Sequence, residues 1–180
     1  MYIATSADGY IARPDGSVEW LNRRPRTADY GMRKFYQKVD TILFGRKTYD
    51  WVLDYYKKKG QKKRMFDTKL KNYVFSRKPP KRAVPGVEFV SESVKTFAQR
   101  LQATPGKHVW MMGGASIIAS FLDEGKIDEF MIHVVPTLIG DGIPLIKPRH
   151  RDIQLTLKSI KKFPDGVVKL HYLVSRDGTT

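Results

Sequence analysis

Two short apolar runs restrict the folds open to this chain: DTILFG at residues 40–45 and HVWMM at residues 108–112. The first run ends in Gly45 and the second is followed by Gly113 and Gly114, and a helix-like pattern comes next in both, so each is read as a strand that leads into a helix. A strand that is apolar throughout is typical of a parallel sheet covered by helices on both faces. The two runs therefore predict an α/β fold.

The rest of the chain follows the same alternation until about residue 127 and then changes. Helices are expected at 29–39, 46–56, 92–103 and after Gly114, and further strands at 2–5, 72–76 and 87–91. The C-terminal part is read as strands 128–136, 152–163 and 166–174, with FPDG at 163–166 as a hairpin signal. We expect a single domain over 1–180: a mainly parallel central sheet flanked by helices, with an antiparallel C-terminal hairpin.

Composition excludes several classes of protein. No apolar run approaches the roughly 18–20 residues of a membrane span, and no signal-peptide pattern is present, so a cytoplasmic protein without membrane association is expected. The chain has no cysteine, which excludes disulfides, thiolate zinc sites and the zinc centre of nucleobase deaminases. The histidines lack the spacing of a metal site, so no metal is predicted.

Charge is the unusual property of the sequence: 33 Lys and Arg face 18 Asp and Glu, a formal net charge of +15. Such a field favours anionic partners, whether nucleic acid, a membrane surface or a phosphorylated small molecule. Basic residues are concentrated at 23–26 and 57–64. The second run is interpreted as a solvated loop, because Tyr55 and Tyr56 alone do not provide the interleaved aromatics of a nucleic-acid surface.

Three predicted strand ends carry residues suited to phosphate groups. In an α/β sheet, ligands bind at the carboxyl ends of the strands, where helix N-termini offer unpaired N–H groups. The residues concerned are Gly45, Arg46, Lys47 and Thr48 after one strand, Ser76, Arg77 and Lys78 after the next, and Gly113, Gly114, Ala115 and Ser116 after a third. Each set has a structural alternative: an ordinary turn, a basic loop or a packing glycine. Together they indicate one extended phosphate-bearing ligand.

A proton donor is harder to assign. Asp29 is the candidate, because it lies at the start of the predicted helix 29–39. The alternative is that Asp29 only caps this helix, since Asp is a preferred capping residue.

Several motifs taken in order resemble the dihydrofolate reductase superfamily, and most closely its riboflavin-pathway reductase branch with stand-alone bacterial relatives. The motifs are SADGYIA (6–12), EWL (19–21), VDTILFGRKTY (39–49), VFSR (74–77), MMGGASIIASFLDEGKIDE (111–129) and PTLIGDGIPLI (136–146). The resemblance implies an NADPH-dependent reductase, commonly a homodimer, that transfers a hydride to a pyrimidine- or pterin-type substrate.

The resemblance also implies roles for individual residues. It assigns Gly45, Arg46, Lys47 and Thr48 to the cofactor phosphates, Ser76 and Arg77 to the 2′-phosphate, and Gly113, Gly114, Ala115 and Ser116 to the pyrophosphate. It assigns Ala4, Ile11 and Ala12 to the nicotinamide, Trp20 to a mobile lid and Asp29 to the catalytic acid.

Two substrates and one function without catalysis are the alternatives that the sequence leaves. The position where folate enzymes carry an aromatic is Arg33, which favours a phosphoribosylamino-pyrimidine, as in 5-amino-6-(5-phosphoribosylamino)uracil reductase, over dihydrofolate. A basic nucleic-acid-binding protein without catalysis is the alternative from another class.

Overall fold

The computed structural model describes residues 1–22, 29–60, 66–149 and 152–175. Its strands are β1 (Tyr2–Ser6), β2 (Tyr10–Ala12), β3 (Val39–Gly45), β4 (Lys71–Phe75), β5 (Val87–Val90), β6 (His108–Gly113), β7 (Glu129–Val135), β8 (Ile143–Pro144), β9 (Leu155–Lys162) and β10 (Val168–Val174). Its α-helices are α1 (Met32–Tyr36), α2 (Arg46–Lys58), α3 (Val94–Gln102) and α4 (Ala115–Asp123), and a 3-10 turn spans Glu19–Leu21.

The strands form two four-stranded sheets and a small two-stranded one. One sheet has the order β5-β4-β3-β6 and is parallel throughout. The other has the order β1-β7-β10-β9, in which β1 is parallel to β7 and the last three strands are antiparallel. The Trp110 indole N–H of β6 donates to the Tyr2 carbonyl of β1 at 3.0 Å, which places the two larger sheets side by side. The expected parallel core with a C-terminal hairpin is confirmed.

Helices α2, α3 and α4 pack their apolar side chains against the strands of the parallel sheet. Phe97 of α3 and Ile118 of α4 are fully buried in a cluster with Leu43 of β3. Tyr49 and Val52 of α2 are buried in a separate cluster. Within the described ranges, no helix is long and apolar enough to cross a membrane.

Several predicted boundaries change. The predicted helix 29–39 is wrong over most of its length: the helix is Met32–Tyr36, and Val39 begins β3. Tyr30 and Gly31 have positive φ values of 54° and 90°, which end any helix on that side. Predicted helix 46–56 continues to Lys58, so the basic run 57–64 begins inside α2, while 61–64 and the run 23–26 lie outside the described residues.

The C-terminal hairpin forms as predicted, but its side chains are less buried than the sequence pattern indicates. Its turn forms as predicted, with the Gly166 amide donating to the Phe163 carbonyl at 3.0 Å. The alternating pattern of β9 indicates a half-buried strand, yet all eight of its residues are exposed. The strand lies at the outer edge of its sheet, where it pairs on one side only, with β10.

Gly142 allows an approach between two backbone segments that no other residue permits. A Cβ atom at this position would lie 2.2 Å from the Ala12 carbonyl oxygen, so β2 and the loop before β8 would have to move apart. We expect Gly142→Ala to destabilise the protein by about 2–4 kcal/mol, measured by urea unfolding. Gly140→Ala is the control, because its Cβ would meet open space and only its φ of +78° opposes substitution. Equal losses in both variants would contradict the close contact.

Candidate functional site

Two of the three predicted strand ends meet at the carboxyl edge of the parallel sheet. Gly45 ends β3 and Gly114 follows β6, and the two strands are paired neighbours. A Cβ on Gly45 would lie 3.6 Å from both the Gly113 carbonyl oxygen and the Gly114 nitrogen. A Cβ on Gly114 would lie 3.4 Å from Thr48 Oγ1. The starts of α2 and α4 therefore lie next to one another, with room for about one Cβ atom between Gly45 and the Gly113–Gly114 backbone.

Neither of these two helices has a capped N-terminus. Gly45 and Gly114 occupy the N-cap positions of α2 and α4, neither makes a side-chain capping bond, and neither first turn contains an acidic residue. By contrast, α3 is capped by Ser93, whose hydroxyl accepts from the Thr96 amide at 3.0 Å. An uncapped helix start presents N–H groups and a partial positive charge to an anion. Two such starts lie side by side at this edge of the sheet.

The third predicted strand end is joined to the first by Arg46. The Arg46 Nε is 2.9 Å from the Asp50 carboxylate, and its Nη1 donates to the Lys78 carbonyl at 2.8 Å. The Ser76 hydroxyl accepts from the Lys78 amide at 3.1 Å and keeps its own proton to donate. Arg77 is exposed. The structure thus brings the residues after β3, β4 and β6 together along one edge.

Two other predicted site residues, Ala4 and Trp20, lie in one cluster with Tyr30, the residue that follows Asp29. Trp20 is buried at 7% exposure with Val135, Phe163 and Val167. Partly buried residues pack against this cluster: Ala4, Leu21, Tyr30 and Ile139. The Trp20 indole N–H is enclosed and has no hydrogen-bond partner among the described residues. The predicted lid tryptophan is therefore packed here against β1 and β7.

Ile11 and Ala12 lie on β2, directly after the turn that ends β1. Ile3 of β1 would lie 3.9 Å from a Cβ on Gly113, so β1 borders the pyrophosphate turn predicted at Gly113. Of the predicted nicotinamide residues, Ala4 thus lies on the strand that borders that turn, and Ile11 and Ala12 lie on the strand that follows it in the chain.

Asp29 is exposed at the turn before α1. Its carboxylate accepts from the Gly31 amide at 2.9 Å and more weakly from the Arg33 amide at 3.4 Å. The pKa of Asp29 is lowered, first by the hydrogen bond from Gly31. The hydrogen bond from the Arg33 amide and the charges of Arg33 and Lys161 lower it further. The carboxylate is therefore ionised at neutral pH. Its bonds to Gly31 and Arg33 are those expected of the capping alternative, and they leave lone pairs for a ligand.

Two side chains that the sequence did not single out hold this turn. The Tyr2 hydroxyl donates to the Tyr30 carbonyl at 2.9 Å, and His133 Nε2 lies 3.3 Å from the same oxygen. A carbonyl can only accept, so this contact is a hydrogen bond in the state that has a proton on Nε2 of His133. Burial lowers the pKa of His133, and burial followed by the charge of Asp29 raises the pKa of Tyr2 to about 12. Both groups are therefore neutral hydrogen-bond donors at neutral pH.

Asp8 is a third side chain that the sequence did not single out. Its carboxylate accepts from the Ile139 amide at 3.0 Å and from the Gly140 amide at 2.8 Å. The Ser6 hydroxyl and these two amides lower the pKa of Asp8. Through these hydrogen bonds, Asp8 holds the loop after β7 against the end of β1. This contact lies at the edge that carries the candidate site.

The candidate site is an open edge of the sheet. Two shallow depressions, of about 300 and 520 Å³, lie instead at the opposite edge, where β4, β5 and β6 begin. Their lining includes Lys71 and Val87 in the first and His108 in the second. In the part of the chain that the structure describes, no three His, Asp or Glu side chains converge as a metal site would require.

Comparison with known proteins identifies the family. The model of the RibD C-terminal domain matches residues 1–169. The chain belongs to the RibD C-terminal domain family. YwjB of Bacillus subtilis is 38% identical over 174 residues, covering 96% of this chain and 95% of YwjB. YyaP of the same organism is 32% identical, covering 94% of this chain and 91% of YyaP. The resemblance drawn from the sequence motifs is confirmed.

Solved structures share the fold of this RibD C-terminal domain protein. A protein from Shewanella sp. PV-4 named for riboflavin biosynthesis is 27% identical with a TM-score of 0.82, and 97% of each chain is covered. The Thermotoga maritima deaminase and 5-amino-6-(5-phosphoribosylamino)uracil reductase has a TM-score of 0.66 at 16% identity, covering 97% of this chain and 55% of its own. The second likeness supports the fold alone. It also shows that the present chain corresponds in length to about half of the bifunctional enzyme.

Proposed function

We propose that this protein is an NADPH-dependent reductase acting on a pyrimidine-type substrate, with a phosphorylated substrate favoured by the net charge of +15. The observation that carries the proposal is the pair of uncapped helix starts at Gly45 and Gly114, which lie side by side at the carboxyl edge because β3 and β6 are paired neighbours. Membership of the RibD C-terminal domain family supports a reductase of this kind.

The residues along this edge fit a dinucleotide phosphate. The amides at the starts of α2 and α4 suit a pyrophosphate, because both helix dipoles direct positive charge at the same place. Lys47 is an exposed cation beside these amides, and Arg77 is an exposed cation in the loop after β4. The free Ser76 proton and Arg77 would distinguish a 2′-phosphate from a ribose hydroxyl.

Bound NADPH would supply the hydride, and the protein would bind and orient the substrate. Ionised Asp29 would accept hydrogen bonds from ring N–H groups, which matches its lowered pKa. Proton donation from Asp29 would need a raised pKa, so substrate binding is the role that its surroundings favour. Tyr2 and His133 would keep the carboxylate in place through the Tyr30 carbonyl. Trp20, packed beside Ala4, would exclude water from the nicotinamide end.

The choice of substrate rests on Arg33 and on the charge of the chain. Arg33 is exposed one helical turn after Asp29, where an aromatic would suit a folate ring. A guanidinium there, with Lys161 close enough to act on Asp29, suits an anionic pyrimidine nucleotide better. Dihydrofolate is therefore the second candidate substrate.

Replacing Arg77 tests the cofactor preference. We expect Arg77→Ala to weaken NADPH binding by about 10- to 100-fold and NADH binding by less than about threefold, because only NADPH carries the 2′-phosphate. Cofactor fluorescence titration measures both dissociation constants. Arg82→Ala, another exposed arginine of the same loop, should change neither. Equal losses for the two cofactors would exclude the 2′-phosphate role.

The same titration separates the reductase from a basic nucleic-acid-binding protein. Micromolar NADPH affinity supports the reductase, and a panel of pterins and pyrimidine nucleotides then identifies the substrate class. No NADPH affinity together with steep salt-dependent binding to random duplex DNA would support the alternative instead.

A further inference from the structure

Tyr30 has a backbone conformation that tyrosine rarely adopts. Its φ is 54°, and within the described ranges it is the only residue other than glycine with a positive φ. The Met32 amide donates to the Asp29 carbonyl at 2.9 Å, so Tyr30 and Gly31 are the central residues of a turn. Both have positive φ, the pattern of a type I′ turn, in which glycine, asparagine and aspartate predominate. A tyrosine is strained there and keeps this conformation only because its surroundings hold it.

The side chain of Tyr30 is bonded to the C-terminal hairpin. Its hydroxyl donates to the Asp165 carboxylate, in the turn between β9 and β10 and 135 residues later in the chain. The other oxygen of Asp165 accepts from the Val167 amide at 3.3 Å, which fixes the carboxylate within its own turn. The Tyr30 ring also packs edge-on against Phe163, with 5.0 Å between the ring centroids. The hairpin turn therefore holds Tyr30 by a hydrogen bond and by an aromatic contact.

The backbone carbonyl of Tyr30 is held separately from the side chain. The Tyr2 hydroxyl donates to it at 2.9 Å, and His133 Nε2 lies 3.3 Å away. This carbonyl and the Gly31 N–H belong to the same planar peptide group, so fixing one fixes the direction of the other. The Gly31 N–H is the donor to the Asp29 carboxylate at 2.9 Å. The position of the carboxylate thus depends on how Tyr30 is held.

A charge on the hairpin also reaches Asp29. Lys161, near the end of β9, contributes to the lowered pKa of Asp29. Lys161 and Asp165 flank the buried Phe163, so the same end of the hairpin acts on Asp29 by charge and on Tyr30 by hydrogen bonding. The sequence indicates no role for this segment beyond that of a turn.

We propose that Tyr30 and Asp165 are positioning residues, and that the hydrogen bond between them holds the turn that directs the Asp29 carboxylate. The hairpin turn between β9 and β10 then forms part of the candidate site. The effect on turnover rests on the proposed function, in which Asp29 binds the substrate ring. The effect on the turn itself does not, and it can be measured without a substrate.

Hydrogen exchange of single amides, followed by NMR, tests the hold on the turn. Tyr30→Phe removes the hydroxyl and keeps the ring, and Asp165→Ala removes the acceptor. In both variants we expect the protection of the Gly31 and Met32 amides to fall at least about threefold relative to the amides of β3. A general loss of stability would instead lower the protection of the β3 amides as well.

Tyr36→Phe is the matched control for this measurement. The Tyr36 hydroxyl also bonds an aspartate, Asp67, but it lies at the other end of α1. Its loss should leave the Gly31 amide as protected as in the natural protein. Unchanged protection of Gly31 in either Tyr30→Phe or Asp165→Ala, or an equal fall in Tyr36→Phe, would overturn the proposal.

Kinetics test whether Tyr30 acts through Asp29. With the pyrimidine nucleotide or pterin that the panel identifies as substrate, Tyr30→Phe should lower kcat/KM by about 3- to 10-fold and leave NADPH affinity unchanged. The same change in an Asp29→Asn background should have little further effect, because the two residues act as one unit. Equal losses in both backgrounds would overturn the positioning role. If Asp29→Asn alone leaves the kinetics unchanged, the proposed function of Asp29 fails, and the amide exchange still decides whether Asp165 holds the turn.

Discussion

Lys47→Glu is expected to stabilise the free protein and to weaken NADPH binding at the same time. Lys47 lies in the first turn of α2, where the helix dipole disfavours a cation and favours a carboxylate. We expect the melting temperature to rise by about 1–3 °C. The carboxylate would repel the cofactor phosphates, so the dissociation constant for NADPH should increase by about 100-fold.

Lys58→Glu is the matched control for this change. Lys58 is the last residue of the same helix, where a cation is favourable, so its replacement should lower the melting temperature and leave NADPH binding unchanged. Differential scanning fluorimetry and cofactor titration give the two readouts. Equal weakening of NADPH binding in both variants would show that only the overall charge attracts the cofactor, and the helix start would lose its proposed role.

Asp29→Asn is expected to lower kcat/KM for the working substrate by about 10- to 100-fold with NADPH affinity unchanged. The amide keeps the shape of the side chain and its bond to Gly31 but loses the charge that would accept ring N–H groups. Steady-state kinetics against the substrate found in the panel measures the effect. Unchanged kinetics would remove Asp29 from the mechanism and leave the capping role alone.

The pH dependence of Asp29 provides a second test. Its pKa in the folded protein lies below the ordinary value of 3.8, so its contribution to stability is present above that value and is lost as the pH falls through the folded pKa. Activity should therefore show no acid limb from Asp29 between about pH 5 and 8. A limb near pH 6 that disappears in Asp29→Asn would indicate a proton donor instead.

The parallel core could be predicted because its signal is local. DTILFG and HVWMM are strands in any α/β arrangement, and both occur where expected, as β3 and β6. The N-terminal boundary of α1 could not be predicted. The pattern over 29–39 is compatible with a helix, but the Tyr30 carbonyl is held by Tyr2 and His133 from two distant strands. Those bonds fix a turn that the local sequence does not specify.

The exposure of β9 could not be predicted from the local sequence either. Its alternating residues indicate one buried face, yet burial depends on what packs against the strand, and its edge position leaves both faces exposed. The pairing of β9 with β10 passes over Lys158, so Leu157 and Ile160 lie on the same face, which the sequence spacing does not indicate.

The sequence by itself determined the strand–helix order, the glycines and cations at three strand ends, and the family. Only the tertiary structure decided that Gly45 and Gly114 lie side by side, that Arg46 joins α2 to the loop after β4, and that Asp8 holds the loop after β7. The physical reason is that a strand and its helix start are set by local backbone preferences. Contacts between strand ends far apart in the chain are set by which strands pair, and that depends on how the whole core packs.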